Sequence, residues 1–367
     1  MSWFLTLLGI VALIILHELG HFAVAKAVGM RVERFSLFFP PTLFRIRRGE
    51  TEYAIGAIPA GGYVKITGMN PEELDGLEPE VARRAYYAQA PWKRIVVILA
   101  GPGVNILIAF VLFWGILVTG NLNGAGALES INPSVATVTP TVKAVERGQP
   151  GEGVLRPGDR IVAVEGRSAT FASTLEGVNA HPCAGPLVEG CRAATPVHLS
   201  VLRAGHRVNL SIYPRYNMHE RRMLIGFRFS GVPKPIGPLT AASTALDEMW
   251  NSTSHTLTGF VNALTSSKAR HEVSSIVGIT RVGHETVSAG AGYAIVFLGY
   301  LSLVLAVINL FPFLPLDGGH IAWSLAEKIR GRRVSVMAMY RYSSVGIVLL
   351  LFLVINGVTN DINRLAG

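Results

Sequence analysis

The chain has 367 residues, 50% of them hydrophobic and only 16% charged, against about 25% charged in an average soluble domain. With a mean hydropathy of +0.41, this balance excludes an ordinary soluble enzyme and points to a membrane protein. The net charge of +9 sits in clusters beside apolar runs and lacks interleaved aromatics, so no nucleic-acid partner is expected. Two cysteines, Cys183 and Cys191, provide neither a zinc ribbon nor a disulfide scaffold.

The first expected span occupies residues 1–30 and carries no Lys or Arg before Lys26. A signal peptide would place positive charge ahead of its apolar core and a small-residue cleavage site behind it. A retained helix is therefore expected, its N-terminus outside and Lys26, Arg31 and Arg34 inside. Within it stands His17-Glu18-Leu19-Gly20-His21. Histidines four residues apart share one helix face and can reach one metal ion, and the glutamate between them is placed to act as general base. Each ionisable group in a span costs about 2.5–3.5 kcal/mol. A Zn2+ ion relieves that cost; a buried histidine pair with a helical salt bridge is the plainer alternative, and zinc is the favoured reading.

Residues 31–94 read as a β-hairpin and loop region on the inner side. Phe35–Phe39, Leu43–Ile46 and Tyr53–Ile58 have strand composition, with turns at Pro40-Pro41 and Arg48-Gly49-Glu50. The stretch Gly56-Ala57-Ile58-Pro59-Ala60-Gly61-Gly62-Tyr63-Val64-Lys65-Ile66 is apolar enough to dip into a membrane face. Its edge could pair with an extended substrate, or it could be an ordinary hairpin. A second span is expected over 95–119, opening Ala100-Gly101-Pro102-Gly103-Val104-Asn105, where small residues admit a neighbouring helix. Arg83, Arg84, Lys93 and Arg94 precede it and no Lys or Arg occurs in 120–139, so it runs from inside to outside.

Residues 120–235 read as a domain outside the membrane. Val154–Gly166 contains Leu155-Arg156-Pro157-Gly158-Asp159-Arg160-Ile161, and Val197–Arg203 with Arg207–Ile212 forms a hairpin. The L-x-P-G-D-x-I-x-x-V-x-G pattern resembles the PDZ domains of membrane and periplasmic proteases, which implies a groove for peptide C-termini. Cys183 and Cys191 are either a disulfide on the oxidising side or two free thiols. In 236–292 an amphipathic helix is expected, on the membrane surface or against the core, with Leu246, Met249, Trp250, Leu257, Phe260, Val261 and Leu264 at helical spacing and serving packing more than function. A third span follows over 293–317, then a basic inner loop over 318–342 (Lys328, Arg330, Arg332, Arg333, Arg341) and a fourth span and tail over 343–367.

Two histidines leave a tetrahedral zinc short of a protein ligand. The third span ends Asn309-Leu310-Phe311-Pro312-Phe313-Leu314-Pro315-Leu316-Asp317-Gly318-Gly319-His320. Asp317 there is either an N-cap for the next helix or the third ligand, and beside the first-span motif the ligand reading prevails over His320. The other classes consistent with such residues are a membrane scaffold with a closed structural metal site and a metal or proton transporter. The first wants a fourth ligand and the second wants ionisable groups within several spans, and neither is evident.

H-E-L-G-H in the first span, G-x-x-P-x-G-G-Y-V-K after it, G-P-x-x-N in the second, the PDZ pattern and N-x-x-P-x-x-P-L-D-G in the third resemble the site-2 protease family. Their order is similar to the bacterial branch with one PDZ domain that cuts anti-sigma factors. The resemblance implies a polytopic α-helical membrane protein with about four spans, a membrane-associated β-hairpin and an inserted extracytoplasmic PDZ domain. It implies zinc on His17, His21 and Asp317, Glu18 as catalytic base, and Asn105, Asn309, Pro312 and the strand Gly61, Gly62, Tyr63, Val64 and Lys65 against substrate. The expected partners are single-span membrane proteins of the anti-sigma factor kind, cut after a first extracytoplasmic cleavage. The expected place is the bacterial inner or plasma membrane, active site toward the cytoplasm. Leu314 and Ser275-Ile276-Val277-Gly278-Ile279 depart from the family pattern, the latter standing where G-P-V-G-I is common.

Overall fold

The computed structural model describes residues 2–69, 71–74, 76–119, 141–169, 171–218, 222–230, 236–271, 273–313, 316–332 and 334–366. The variant residue Leu314 and the Lys/Arg-free stretch 120–139 therefore lie outside the described residues. Among the described residues, four helices are long and apolar enough to cross a membrane: α1 (Ser2–Ala27), Pro91–Thr119, Ala291–Asn309 and Met337–Arg364. The chain divides into two compact units, one of residues 1–113, 245–290 and 297–367, the other of 114–244 and 291–296.

In the first unit, α1 is followed by two long antiparallel strands, β1 (Val32–Arg48) and β2 (Thr51–Ile66). No break falls at Pro40-Pro41; the chain there crosses over instead of turning back. Residues 34–37 pair with both 52–55 and 62–65, and residues 44–48 pair with 51–55 on the far side. Four segments thus lie side by side in the order 44–48, 51–55, 34–37, 62–65. The crossover passes over Gly56, where a Cβ would overlap the carbonyl oxygens of Phe38 and Phe39. After α2 (Pro79–Arg83), α3 (Pro91–Thr119) starts four residues earlier than expected, on a proline that the first helical turn tolerates. Arg94 in α3 is buried, packed on Tyr87 at 5.1 Å and ion-paired to Glu327 at 2.8 Å.

The second unit holds a six-stranded sheet of order β10-β3-β4-β6-β7 with β5 on β4: β3 (Thr141–Val145), β4 (Arg160–Val164), β5 (Arg167–Ser168), β6 (Val197–Arg203), β7 (His206–Ile212) and β10 (Phe227–Ser230). A small hairpin of β8 (Arg215–Asn217) and β9 (Arg222–Leu224) and the helix α4 (Phe171–Asn179) complete it. Val197, Leu199 and Val201 are buried with Ile161, Val164 and Ile212, as period-two alternation requires. Cys183 and Cys191 are joined in a disulfide, their Cα atoms 5.9 Å apart.

The Pro-Gly-Asp turn has a specific use. Asp159 accepts from the Arg156 N–H and from Nη2 and Nε of Arg203, the latter two at 2.6 and 2.8 Å. Those bonds from Arg203 hold its carboxyl below the usual carboxylate range. Because the folded pKa is depressed, this stabilisation is complete above the ordinary value near 4 and disappears as pH falls toward the folded value. Asp159 is buried while Arg203 is a quarter exposed, so Asp159→Ala should cost about 3 kcal/mol, the low end for a broken buried pair. The urea midpoint of this unit, read by pulse proteolysis of the full chain, should drop at pH 7 and converge with wild type in acid.

The remaining helices are α5 (Pro238–Thr265), α6 (Ser267–Arg270), α7 (Ile276–Ala289), α8 (Ala291–Asn309), α9 (Asp317–Arg330) and α10 (Val336–Ala366). Three departures from expectation appear. α5 packs through small residues, Ala245 and Ala263, with Met249 and with Glu248 accepting the Tyr300 hydroxyl, while Leu246, Trp250, Leu257 and Val261 face outward. Alanines let helices approach closely, so the bulky stripe is displaced from the packed face. α8 ends at Asn309, ahead of Pro312, and Asp317 belongs to the next helix. The expected long basic loop is mostly α9, with only residues 331–335 between it and α10.

The unusual Ser275–Ile279 segment also finds its reason. Ser275 N-caps α7, its Oγ accepting from Val277 N. Asp361 of α10 accepts from Ser275 N, Ser275 Oγ and Gly278 N, and Asn360 donates to the Arg270 and Val273 carbonyls.

Candidate metal centre

Helical periodicity places His17 and His21 on the face of α1 that meets α3. Gly20 allows this approach, because a Cβ there would press on the Ala100 carbonyl. The two Nε2 atoms lie 3.3 Å apart, each 3.2 Å from Asp317 Oδ2, and both histidines are buried. Asp317 is the first residue of α9 and Leu316 is the N-cap, so its carboxylate is turned to the histidines and not to its own backbone. Gly318 makes that turn possible: a Cβ there would overlap the carbonyl oxygens of Leu310 and Phe311. His320, the competing ligand, sits instead against Tyr86 with ring centroids 6.1 Å apart. Among the described residues, His17, His21 and Asp317 are the only set of three metal-type donors that converge.

The donor chemistry fits zinc, two imidazoles and one carboxylate being a catalytic-type set that leaves a coordination position open. The surroundings fit as well. His21 Nδ1–H donates to the Val97 carbonyl at 2.9 Å, leaving Nε2 free to ligate. The Asn105 amide lies 3.1 Å from His17 Nδ1, and its Oδ1 has no partner. A His17 that ligates through Nε2 carries its proton on Nδ1, which then needs an acceptor. Exchanging the amide oxygen and nitrogen of Asn105 gives the His17 Nδ1–H its acceptor. Ser302 Oγ donates to the Asn105 carbonyl at 2.9 Å, tying α8 to this point of α3.

Asn105 is fully buried behind His17. Asn105→Ala should lower zinc affinity about 10–100-fold, measured by competition with a chelator. Asn105→Asp should retain more of the affinity, since it keeps an acceptor toward Nδ1–H. Val97, Gly101 and Asn105 recur at four-residue spacing on α3, so that one helix face presents a carbonyl, a gap and an amide to the two imidazoles. The small residues were legible in sequence as admitting a neighbouring helix, whereas the part played by the Val97 carbonyl was not, because a backbone carbonyl carries no chemical label.

Glu18 lies beside the two histidines on α1, close enough to interact with His21, His17 and Asp317, and reaches toward the β-sheet. Its carboxylate accepts the Val64 backbone N–H, and a Cβ on Gly62 would lie 3.0 Å from Glu18 Cγ. The segment 62–65 is the sheet edge nearest Glu18, paired only with 34–37. Phe39 stacks on Tyr63 with centroids 5.9 Å apart, and Gly61 has φ of +148°. Asn309 is half-buried at the end of α8 and Pro312 is exposed beyond it.

Comparison with known proteins agrees with this chemistry. The model of peptidase family M50 matches residues 5–353. Zinc metalloprotease Rip1 of Mycobacterium tuberculosis (strain ATCC 25618 / H37Rv) is 33% identical over 346 residues, covering 88% of this chain and 85% of the relative. Rip1 of Mycolicibacterium smegmatis is 33% identical over 367 residues, covering 90% and 87%. A putative zinc metalloprotease of Rhizobium meliloti is 28% identical over 380 residues, covering 97% and 94%. The family match takes in all three converging donors and most of every apolar helix described, and the chain belongs to peptidase family M50 as a multi-pass zinc metalloprotease of the site-2 type.

Proposed function

We propose that this protease cuts single-span membrane proteins within their spans, anti-sigma factors being the substrate class, after a first cut outside the membrane. One observation carries the reading: the sheet edge at Gly62–Lys65 lies against Glu18 on the same helix as the two histidines. Peptide bonds in a helix are shielded, so a substrate span has to unwind, and pairing with this edge would hold it extended. His17, His21 and Asp317 hold zinc, which when bound acidifies water toward a pKa of about 7 and polarises the scissile carbonyl. Glu18 takes the proton from the attacking water and returns it to the leaving amine. Asn105 and Val97 keep the two imidazoles oriented, and Asn309, Pro312 and Gly61 to Lys65 contact substrate.

The charge asymmetry around the first two spans supports an N-terminus and second unit outside the cell and an active site toward the cytoplasm. The disulfide is consistent with an oxidising compartment there. The sheet of that unit would read free peptide C-termini in the manner of a PDZ domain. Crosslinking tests the edge. With cysteine at Tyr63 in a Glu18→Gln background, crosslinks to a cysteine-scanned substrate should recur every second residue. A recurrence of three to four residues would mean that the substrate stays helical, and the edge-pairing reading would be wrong.

A further inference from the structure

The sheet beside α1 is two-faced. Across its four segments, Phe35, Tyr53, Ile46 and Val64 form one row and Leu37, Ile55, Phe44 and Gly62 the next, both on one face. The alternate rows, Arg34, Glu52, Arg47 and Lys65 and then Ser36, Ala54, Arg45 and Tyr63, point to the other. α1 covers the apolar face only in part: Phe22 packs on Phe35 at 5.5 Å and Tyr53 at 5.9 Å, and Ile14 and Glu18 meet Gly62. The outer segment overhangs, leaving Phe44 60% and Ile46 58% exposed.

On the opposite face of this overhang, Arg45 and Arg47, with Arg48 at the strand end, have no carboxylate within ion-pair distance among the described residues; Glu52, across from Arg47, is taken up by Arg34. Their neighbours differ: Arg34 pairs with Glu52, Lys65 with Glu33, and Lys26 and Arg84 share Glu50. Glu50 follows directly on this strand, so its pairing with Lys26 sets the arginine end level with the end of α1. The backbone of the overhang is a free sheet edge, which excludes the hydrocarbon interior, while Phe44 and Ile46 disfavour full exposure to water. Only the boundary of the bilayer satisfies both. Unpaired guanidinium groups at that boundary select phosphate-bearing anionic headgroups.

We propose that the strand Thr42–Arg48 is a docking site for anionic phospholipid in the leaflet that holds the Lys26 end of α1. Phe44 and Ile46 enter the acyl region and Arg45, Arg47 and Arg48 bind the headgroups. The site is separate from the edge beside Glu18 and does not depend on what the protease cuts.

The test uses full-length protein with Phe44→Cys labelled by an environment-sensitive fluorophore; the native cysteines are joined and do not react. In vesicles, nitroxide-labelled phosphatidylglycerol should quench the label several-fold more than nitroxide-labelled phosphatidylcholine at equal mole fraction. Adding R45Q, R47Q and R48Q together should erase the difference, and the corresponding three lysine substitutions should retain it, with zinc content unchanged throughout. Inorganic phosphate should not compete, which separates a membrane headgroup from a free anion. Equal quenching by the two lipids would overturn the proposal. So would quenching by aqueous iodide alone, or shielding from all quenchers, the latter meaning that protein covers the strand.

Discussion

Glu18→Gln is expected to keep zinc at the wild-type stoichiometry and to slow cleavage by about 10²–10⁴-fold, the usual contribution of a positioned general base. The two outcomes are separable because the structure separates the groups. His17 and His21 converge on Asp317, whereas Glu18 meets the β-sheet at Val64 N–H and Gly62. Glutamine has the same shape and keeps an oxygen to accept from Val64, so neither the sheet nor the ligand cluster has reason to move. What it lacks is a site for the proton. Zinc stoichiometry and single-turnover rates on a reconstituted single-span substrate decide the matter. Cutting within a few-fold of wild type would remove Glu18 from the chemistry, and loss of zinc would show that it supports the ligand cluster.

Gly101→Val should be comparably damaging although Gly101 neither ligates nor reacts. A Cβ at this position would overlap Nε2 of His21, the atom that ligates. The ring cannot step aside cheaply, because its Nδ1–H is held by the Val97 carbonyl. The helices cannot separate without unpacking Gly20 from Ala100. The imidazole must therefore leave its rotamer, and zinc retention after dialysis should fall further than the roughly 10–100-fold expected for a change behind a ligand. Gly103→Ala is the control, since a Cβ there meets nothing. Equal zinc content in all three proteins would show that the site tolerates a shifted His21.

Much of this centre was legible in sequence, for identifiable reasons. His17, Glu18 and His21 form a local pattern whose spacing alone sets geometry, and Asp317 stood out as a carboxylate beside an apolar run. The fold of the sheet was less legible. Pro40-Pro41 reads as a turn, yet the chain crosses over Gly56 there, because the pairing partners lie on both sides of residues 51–55 and long-range pairing leaves no local mark. The stripe on α5 left open whether it lies on a membrane surface or against the core, for a related reason. In a membrane, bulky apolar residues can face outward and small ones can form the packed face, so periodicity identifies a helix without saying which side is inside. The stretch Ala100 to Asn105 was legible as small residues and one amide where a helix could approach, but sequence cannot show that the amide meets His17.

The tie between Asp361 and the start of α7 bears on the order in which the chain is made. The N–H groups of Ser275 and Gly278 and the carbonyls of Arg270 and Val273 are all satisfied from residues 360 and 361, more than eighty positions later. During synthesis the segment 270–278 leaves the ribosome long before its partners exist, with polar backbone that an apolar surrounding penalises. Until the last turn of α10 arrives, this joint is open, and a chain stopped short of Asn360 never closes it.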